Sequence, residues 1–195
     1  IASDVGVVRI DASGSDPTPG VDQGDGSRIF QVESDDDFPV VIDVSLARLH
    51  LTGGDVLEDG GAIDSRENLT LTEMTIEGNH ASEYGGGVDQ SGSYTTLLIE
   101  RSTISGNVAS GGRASIVPAG YSTRGGGGIR IVRTSAEIVS STISGNQTTG
   151  NQSHGGGIGA FGNDFTVRHS AIAGNSATAK DSTAGNTFFS NGNDI

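Results

Sequence analysis

The sequence predicts an all-β solenoid, a single-stranded parallel β-helix, and three observations carry that prediction. A phrase recurs four times: GGAIDSRENLTLTEMTIEGN from Gly60, GGGVDQSGSYTTLLIERSTISGN from Gly85, GGGIRIVRTSAEIVSSTISGN from Gly126 and GGGIGAFGNDFTVRHSAIAGN from Gly155. The copies end on Asn79, Asn107, Asn146 and Asn175, in steps of 28, 39 and 29 residues, and self-similarity at such a period is the mark of stacked repeats. Within each copy the apolar positions are spaced by two, then three, then two, which is strand alternation broken by a one-residue corner. With 32 glycines, 4 prolines, 33% hydrophobic and 5% aromatic residues, the chain has material for many corners around a slim core.

Taken in order, VGVVRI and RIFQV have the β-branched character of strands, and ASGSDPTPGVDQGDGS between them is turn-rich. Residues 1–42 therefore read as irregular N-terminal coils or a cap. Val44, Leu46, Leu49 and Leu51 form a degenerate first copy, with Gly53-Gly54 where Gly-Asn stands later. From there to residue 175 the coils are regular, and four columns align without gaps. They are Leu69, Leu97, Ala136 and Phe165; Leu71, Ile99, Ile138 and Val167; Met74, Ser102, Ser141 and Ser170; and Ile76, Ile104, Ile143 and Ile172. A fifth column, Ile63, Val88, Ile129 and Ile158, follows each glycine cluster and supplies a third short strand per coil. Asn79, Asn107, Asn146 and Asn175 read as a ladder at a corner that takes a left-handed residue able to bond its neighbours above and below. Residues 176–195 make a last partial coil. Such strands bury nothing alone and must stack, giving one domain of roughly six or seven coils. The chain opens at Ile1 inside strand-like sequence, and the expectation is a piece of a larger protein.

Charge is uneven: residues 1–60 hold 13 acids against three arginines, within a net charge of −13. Phosphate binding needs clustered Lys and Arg, so nucleic acid and anionic membrane surfaces are disfavoured as partners. No stretch approaches the roughly 20 apolar residues of a membrane span, and direct membrane insertion is not expected. There is no cysteine to report on redox compartment.

The GGGI, apolar-Thr-apolar and STISGN elements, strongest from Gly60 to Asn175, resemble the right-handed parallel β-helix repeat proteins of bacterial cell surfaces. The likeness is to the polymorphic outer membrane protein type and the choice-of-anchor repeat proteins, with a fold similar to that of pectate lyases. The resemblance implies right-handed winding and an extracellular or cell-surface, secreted location. It also implies a structural or adhesive role as part of a larger surface protein, whose flanking coils or other chains are the expected partners.

No catalysis is expected, and a polysaccharide-binding or polysaccharide-degrading module, lyase or glycoside hydrolase, is the alternative. The best catalytic candidates are Asp64, Asp89 and Arg130, an outward column with Gly159 beyond. Adjacent coils would hold the two aspartates about 5 Å apart, close enough to raise a pKa or share a cation. A surface Asp89–Arg130 pair beside a solvated Asp64 is the simpler reading. Sugar binding would fall to Arg113, Tyr121 and Arg124, on the 17-residue insertion between Asn107 and Gly125, where sister repeats have five and eight residues. A tolerated surface loop is the plainer account of it. Calcium is the ion that suits Asp22 and Asp25 in DQGDG and the run Asp35, Asp36, Asp37, although a solvated acidic turn is the simpler reading of both. His50, His80, His154 and His169 lack zinc spacing and read as surface residues. An outward threonine row, Thr75, Thr103 and Thr142, is ended by His50 and Ala171, too short for a flat ice-binding array.

Overall fold

The computed structural model describes residues 6–34, 40–111, 125–150, 155–162 and 164–178. Its paired strands run parallel and form four sheets, so the described chain is a parallel β-solenoid. Each coil carries four strands and not the predicted three. In coil order, the first sheet holds Asp43–Ala47, Asn68–Thr72, Thr96–Glu100, Ser135–Val139 and Phe165–Arg168. The second holds Val8–Asp11, Leu49–Thr52, Thr75–Glu77, Thr103–Ser105, Thr142–Ser144 and Ala171–Ala173. The third holds Asp55–Val56, His80–Ala81, Val108–Ala109, Gln147–Thr148 and Ser176–Ala177. The fourth holds Phe30–Val32, Ile63–Ser65, Val88–Ser91, Ile129–Val132 and Ile158–Phe161. The third sheet escapes a sequence reading because each rung is two residues long, with one inward side chain and no alternation to detect.

The predicted columns pair in register. Leu97 lies between Leu69 and Ala136, Ile99 between Leu71 and Ile138, and Ile104 between Ile76 and Ile143. Val44 and Leu46 stand under Leu69 and Leu71, and Leu51 under Ile76, so the degenerate first copy obeys the same frame. The core is these stacked aliphatics: Leu51, Ile63, Leu71, Ile76, Ile99 and Ile104 are wholly buried. Burying each such side chain is worth about 1.5–3 kcal/mol. Serines replace aliphatics in the column that starts at Met74, and each hydroxyl accepts the backbone N–H of the coil before it, Met74 to Ser102 and Ser102 to Ser141.

Two kinds of corner shape the coil. Between the first and second sheets one residue turns the chain through the left-handed region: Arg48, Glu73, Arg101, Ser140 and His169 have φ between 47° and 58°. After the second sheet the turn is Gly-Asn, where the structure corrects the sequence reading. The left-handed residue is the glycine, φ 62° at Gly106, and the asparagine that follows keeps a negative φ while its side chain does the bonding. Asn79, Asn107 and Asn146 each donate backbone N–H and side-chain Nδ2 to the Oδ1 of the next asparagine, at 2.9–3.1 Å. All four asparagines are at most 9% exposed. The glycine clusters close the coil: at Gly85, φ is 63° and a Cβ would stand 2.6 Å from the Val88 carbonyl oxygen.

The N-terminal region joins the solenoid. Val8–Asp11 pairs with Leu49–Thr52, and Phe30–Val32 with Ile63–Ser65. The segment between them makes a short 3-10 turn at Ser13–Ser15 and then runs against Asp55–Val56, the edge strand of the third sheet. Asp25 bridges to Val56, and the Gly24 N–H donates to Asp55 at 2.8 Å. Among the described residues no helix is long and apolar enough to cross a membrane.

Candidate functional site

Two polar clusters sit on outer faces that local segments cover. The first is the predicted column on the fourth sheet, where register places Gln31, Asp64, Asp89, Arg130 and Gly159 on successive coils. Alternation turns these side chains away from the aliphatic core, which is why the sequence reads them as outward. The structure corrects the inference that outward means surface. Asp89 is 1% exposed and Arg130 9%, because Asp59 and Tyr84 from the preceding loops close over them. Arg130 Nη1 donates to Asp89 at 2.9 Å and to Asp59 at 2.7 Å, and its guanidinium lies 5.0 Å from the Tyr84 ring centroid. Asp59 also accepts the Tyr84 N–H at 2.9 Å, fixing the cover. Burial pushes the Asp89 carboxyl up to about 7 against the opposing pull of Arg130. Asp64 is half-buried and not solvated, and burial raises its pKa against Arg28 and Arg66. Two carboxyls with raised pKa values side by side are the raw material of acid–base chemistry. Here both Arg130 contacts serve the fold, and Asp89 has almost no surface to offer a substrate.

The second cluster lies on the third sheet and went unnoticed in the sequence. His80 stands in register between Asp55 and Val108, and Ala81, Ala109 and Thr148 beside this column face the core. His80, Val108 and Ser110 therefore share the outer face. His80 is nonetheless 2% exposed and Asp55 4%, which corrects the reading of all four histidines as surface residues. The His80 ring bridges three coils: Nδ1 lies 2.5 Å from Asp55 Oδ1, and Nε2 lies 2.7 Å from Ser110 Oγ. A carboxylate only accepts, so Nδ1 carries a proton, and in the neutral ring Nε2 then accepts from the Ser110 hydroxyl. Backbone N–H groups of Gly24 and Gln23 hold Asp55 in place, at 2.8 and 3.4 Å. Ser110 itself is half-buried. The signal was present in the sequence, since Asp55 and His80 follow Gly54 and Asn79 at one repeat position.

Of the other candidates, Asp25 gathers with Asp16 and Asp55, their ligand atoms within 4.8 Å of one another, while Asp22 lies exposed outside that group. Three hard oxygens at that spacing match what a divalent cation takes. Thr18 and Gln23 already donate to Asp25, and Asp55 is held by His80 and Gly24. Asp35, Asp36, Asp37, Arg113, Tyr121, Arg124 and His154 lie outside the described residues. His169 is exposed and His50 half-buried beside Glu77. The threonine row is in register and bounded by His50 and Ala171, as read. Comparison with protein-family models, with curated proteins and with solved structures finds no match to this chain.

Proposed function

We propose that the chain is a structural, adhesive module of an extracellular or cell-surface protein. In this reading it is a right-handed parallel β-helix of the kind found in bacterial surface repeat proteins, holding distance along its axis and presenting its outer faces to other chains. One observation carries it: the buried polar side chains bond from coil to coil. The asparagine column, the serine column and the Asp59–Arg130–Asp89 group each tie one coil to the next. Polar groups so placed resist shear and slippage between coils, which is the demand on a spacer. The alternative, a polysaccharide lyase or glycoside hydrolase working through Asp64, Asp89 and Arg130, would need a carboxyl pair open to a sugar ring. Asp89 at 1% exposure argues against it.

The test is turnover on acidic polysaccharides, with and without calcium. No chain cleavage is expected. Cleavage that disappears in Asp89→Asn or Arg130→Ala would overturn the structural reading, because a buried tie between coils has no reason to control turnover.

A further inference from the structure

The Asp55–His80–Ser110 group is ordered differently from every ladder around it. The asparagine and serine columns join like to like, the asparagines through backbone N–H and Nδ2 and the serines through backbone N–H, and the Asp59–Arg130–Asp89 group is an ion pair with no nucleophile in it. Here three unlike side chains bond end to end through side-chain atoms alone, carboxylate to Nδ1 and Nε2 to hydroxyl. That order is the one in which a serine becomes a nucleophile: the carboxylate fixes the tautomer and steadies the imidazolium, and the free lone pair of Nε2 points at the hydroxyl proton. The group is graded in burial, with the acid 4% and the imidazole 2% exposed and the serine half-buried. Water is thus kept from the base, while Ser110 is the member of the group that retains surface.

We propose that Ser110 is the nucleophile of an acyl-transfer site, with His80 as its general base and Asp55 as the positioning carboxylate. Ser110 Oγ attacks an acyl carbonyl carbon as its proton passes to His80 Nε2. The carbon–oxygen bond to the leaving alcohol breaks, and that alcohol takes the proton from His80. Water then repeats the sequence, releasing the carboxylic acid and restoring Ser110. The substrate class is an ester. The N–H groups of Ser110 and Gly111 are already given to the carbonyls of Ala81 and Glu83, so they do not serve a developing oxyanion. Without those donors, esters, which have the better leaving group, are within reach and amides are not. This inference does not rest on the spacer reading, since a surface module can carry a reactive serine.

Covalent capture tests it, because a slow site is seen more surely by labelling than by turnover. A fluorophosphonate should form an Oγ–phosphorus bond at Ser110 with loss of fluoride, located by peptide mass, and Ser110→Ala should abolish it. In a folded His80→Gln chain, checked by circular dichroism, labelling should slow by about 100-fold, the usual share of a general base. No adduct on Ser110, or one formed at the parent rate in His80→Gln, overturns the proposal. A second variant leaves Asp55 and His80 untouched and so covers a failure of His80→Gln to fold. Ser110→Cys should be alkylated by iodoacetamide at neutral pH about tenfold faster than Ser144→Cys, a half-buried position between Ser105 and Ala173, because an imidazole partner favours the thiolate. Equal or slower alkylation at position 110 overturns it too. Polysaccharide cleavage by the intact chain would touch the spacer reading alone, so the two readings fail separately.

Discussion

A buried carboxyl is a liability unless something shares its charge, and Asp89 shows how a residue turns that into pH dependence. Its folded pKa of about 7 stands above the ordinary 3.8, so between those values the folded chain holds a proton that the unfolded chain has lost. Stability from this group is therefore full in acid and declines as pH rises through that window, by a few kcal/mol at most. Denaturant unfolding over the same range should show the fall. Asp89→Asn mimics the protonated form in shape and hydrogen bonding and should flatten it. A slope that persists in the Asn variant would place its origin elsewhere. Arg130 keeps its second acid, Asp59, in either state, which limits the loss when Asp89 is neutral.

At the scale of the element, the stacked rung is the unit of cost. Ile104 is wholly buried between Ile76 and Ile143, and Ile104→Asp would set an unpaired ion in an aliphatic ladder at a cost of several kcal/mol. Cooperative folding should be lost, and a melting point within a few degrees of the parent would mean that the column does not face the core. These columns were legible in the sequence because apolar identity repeats at fixed offsets from each Asn. The two-residue rungs of the third sheet were not, since Asp55, His80, Val108, Gln147 and Ser176 share a position but no chemistry. The site built on that sheet was hidden for the same reason. Column identity finds residues that do the same job on every coil, whereas Asp55, His80 and Ser110 do different jobs on successive coils. The Asp64, Asp89 and Arg130 column was found, but its burial was not. The Asp59 and Tyr84 cover comes from the loops between rungs, and loop conformation leaves no periodic trace.

For the whole molecule, the first rungs matter most. Among the described residues Val8–Asp11, Phe30–Val32 and Asp43–Ala47 each pair on one side only, and Val7, Val8, Val40, Val41 and Ile42 nearby are 40–63% exposed. An unpaired strand edge with apolar neighbours is a template for another strand. Acids outnumber arginines in the same region, 13 to three over residues 1–60, and their repulsion opposes contact until salt screens it. The 195-residue chain should therefore associate with rising concentration, more readily at high ionic strength than at low. Sedimentation velocity at both salt levels decides this, and a strictly monomeric species at high salt would mean that these edges are protected.

The asparagine column has a direction, and direction has a consequence for growth. Each amide oxygen receives from the coil before it, so every coil must bring a donor toward the next and an acceptor toward the last. At the foot of the column Gly54 gives its N–H to Asn79 Oδ1 at 3.0 Å, but it has no side-chain oxygen with which to receive from below. Nor is there space to supply one, since a Cβ on Gly54 would stand 2.1 Å from the Gly61 carbonyl oxygen. The column is therefore a sentence with a first word: coils can be read upward from Gly54, and the coil beneath it is held without an asparagine rung, by backbone pairing and by other side chains such as Asp55 and Glu67.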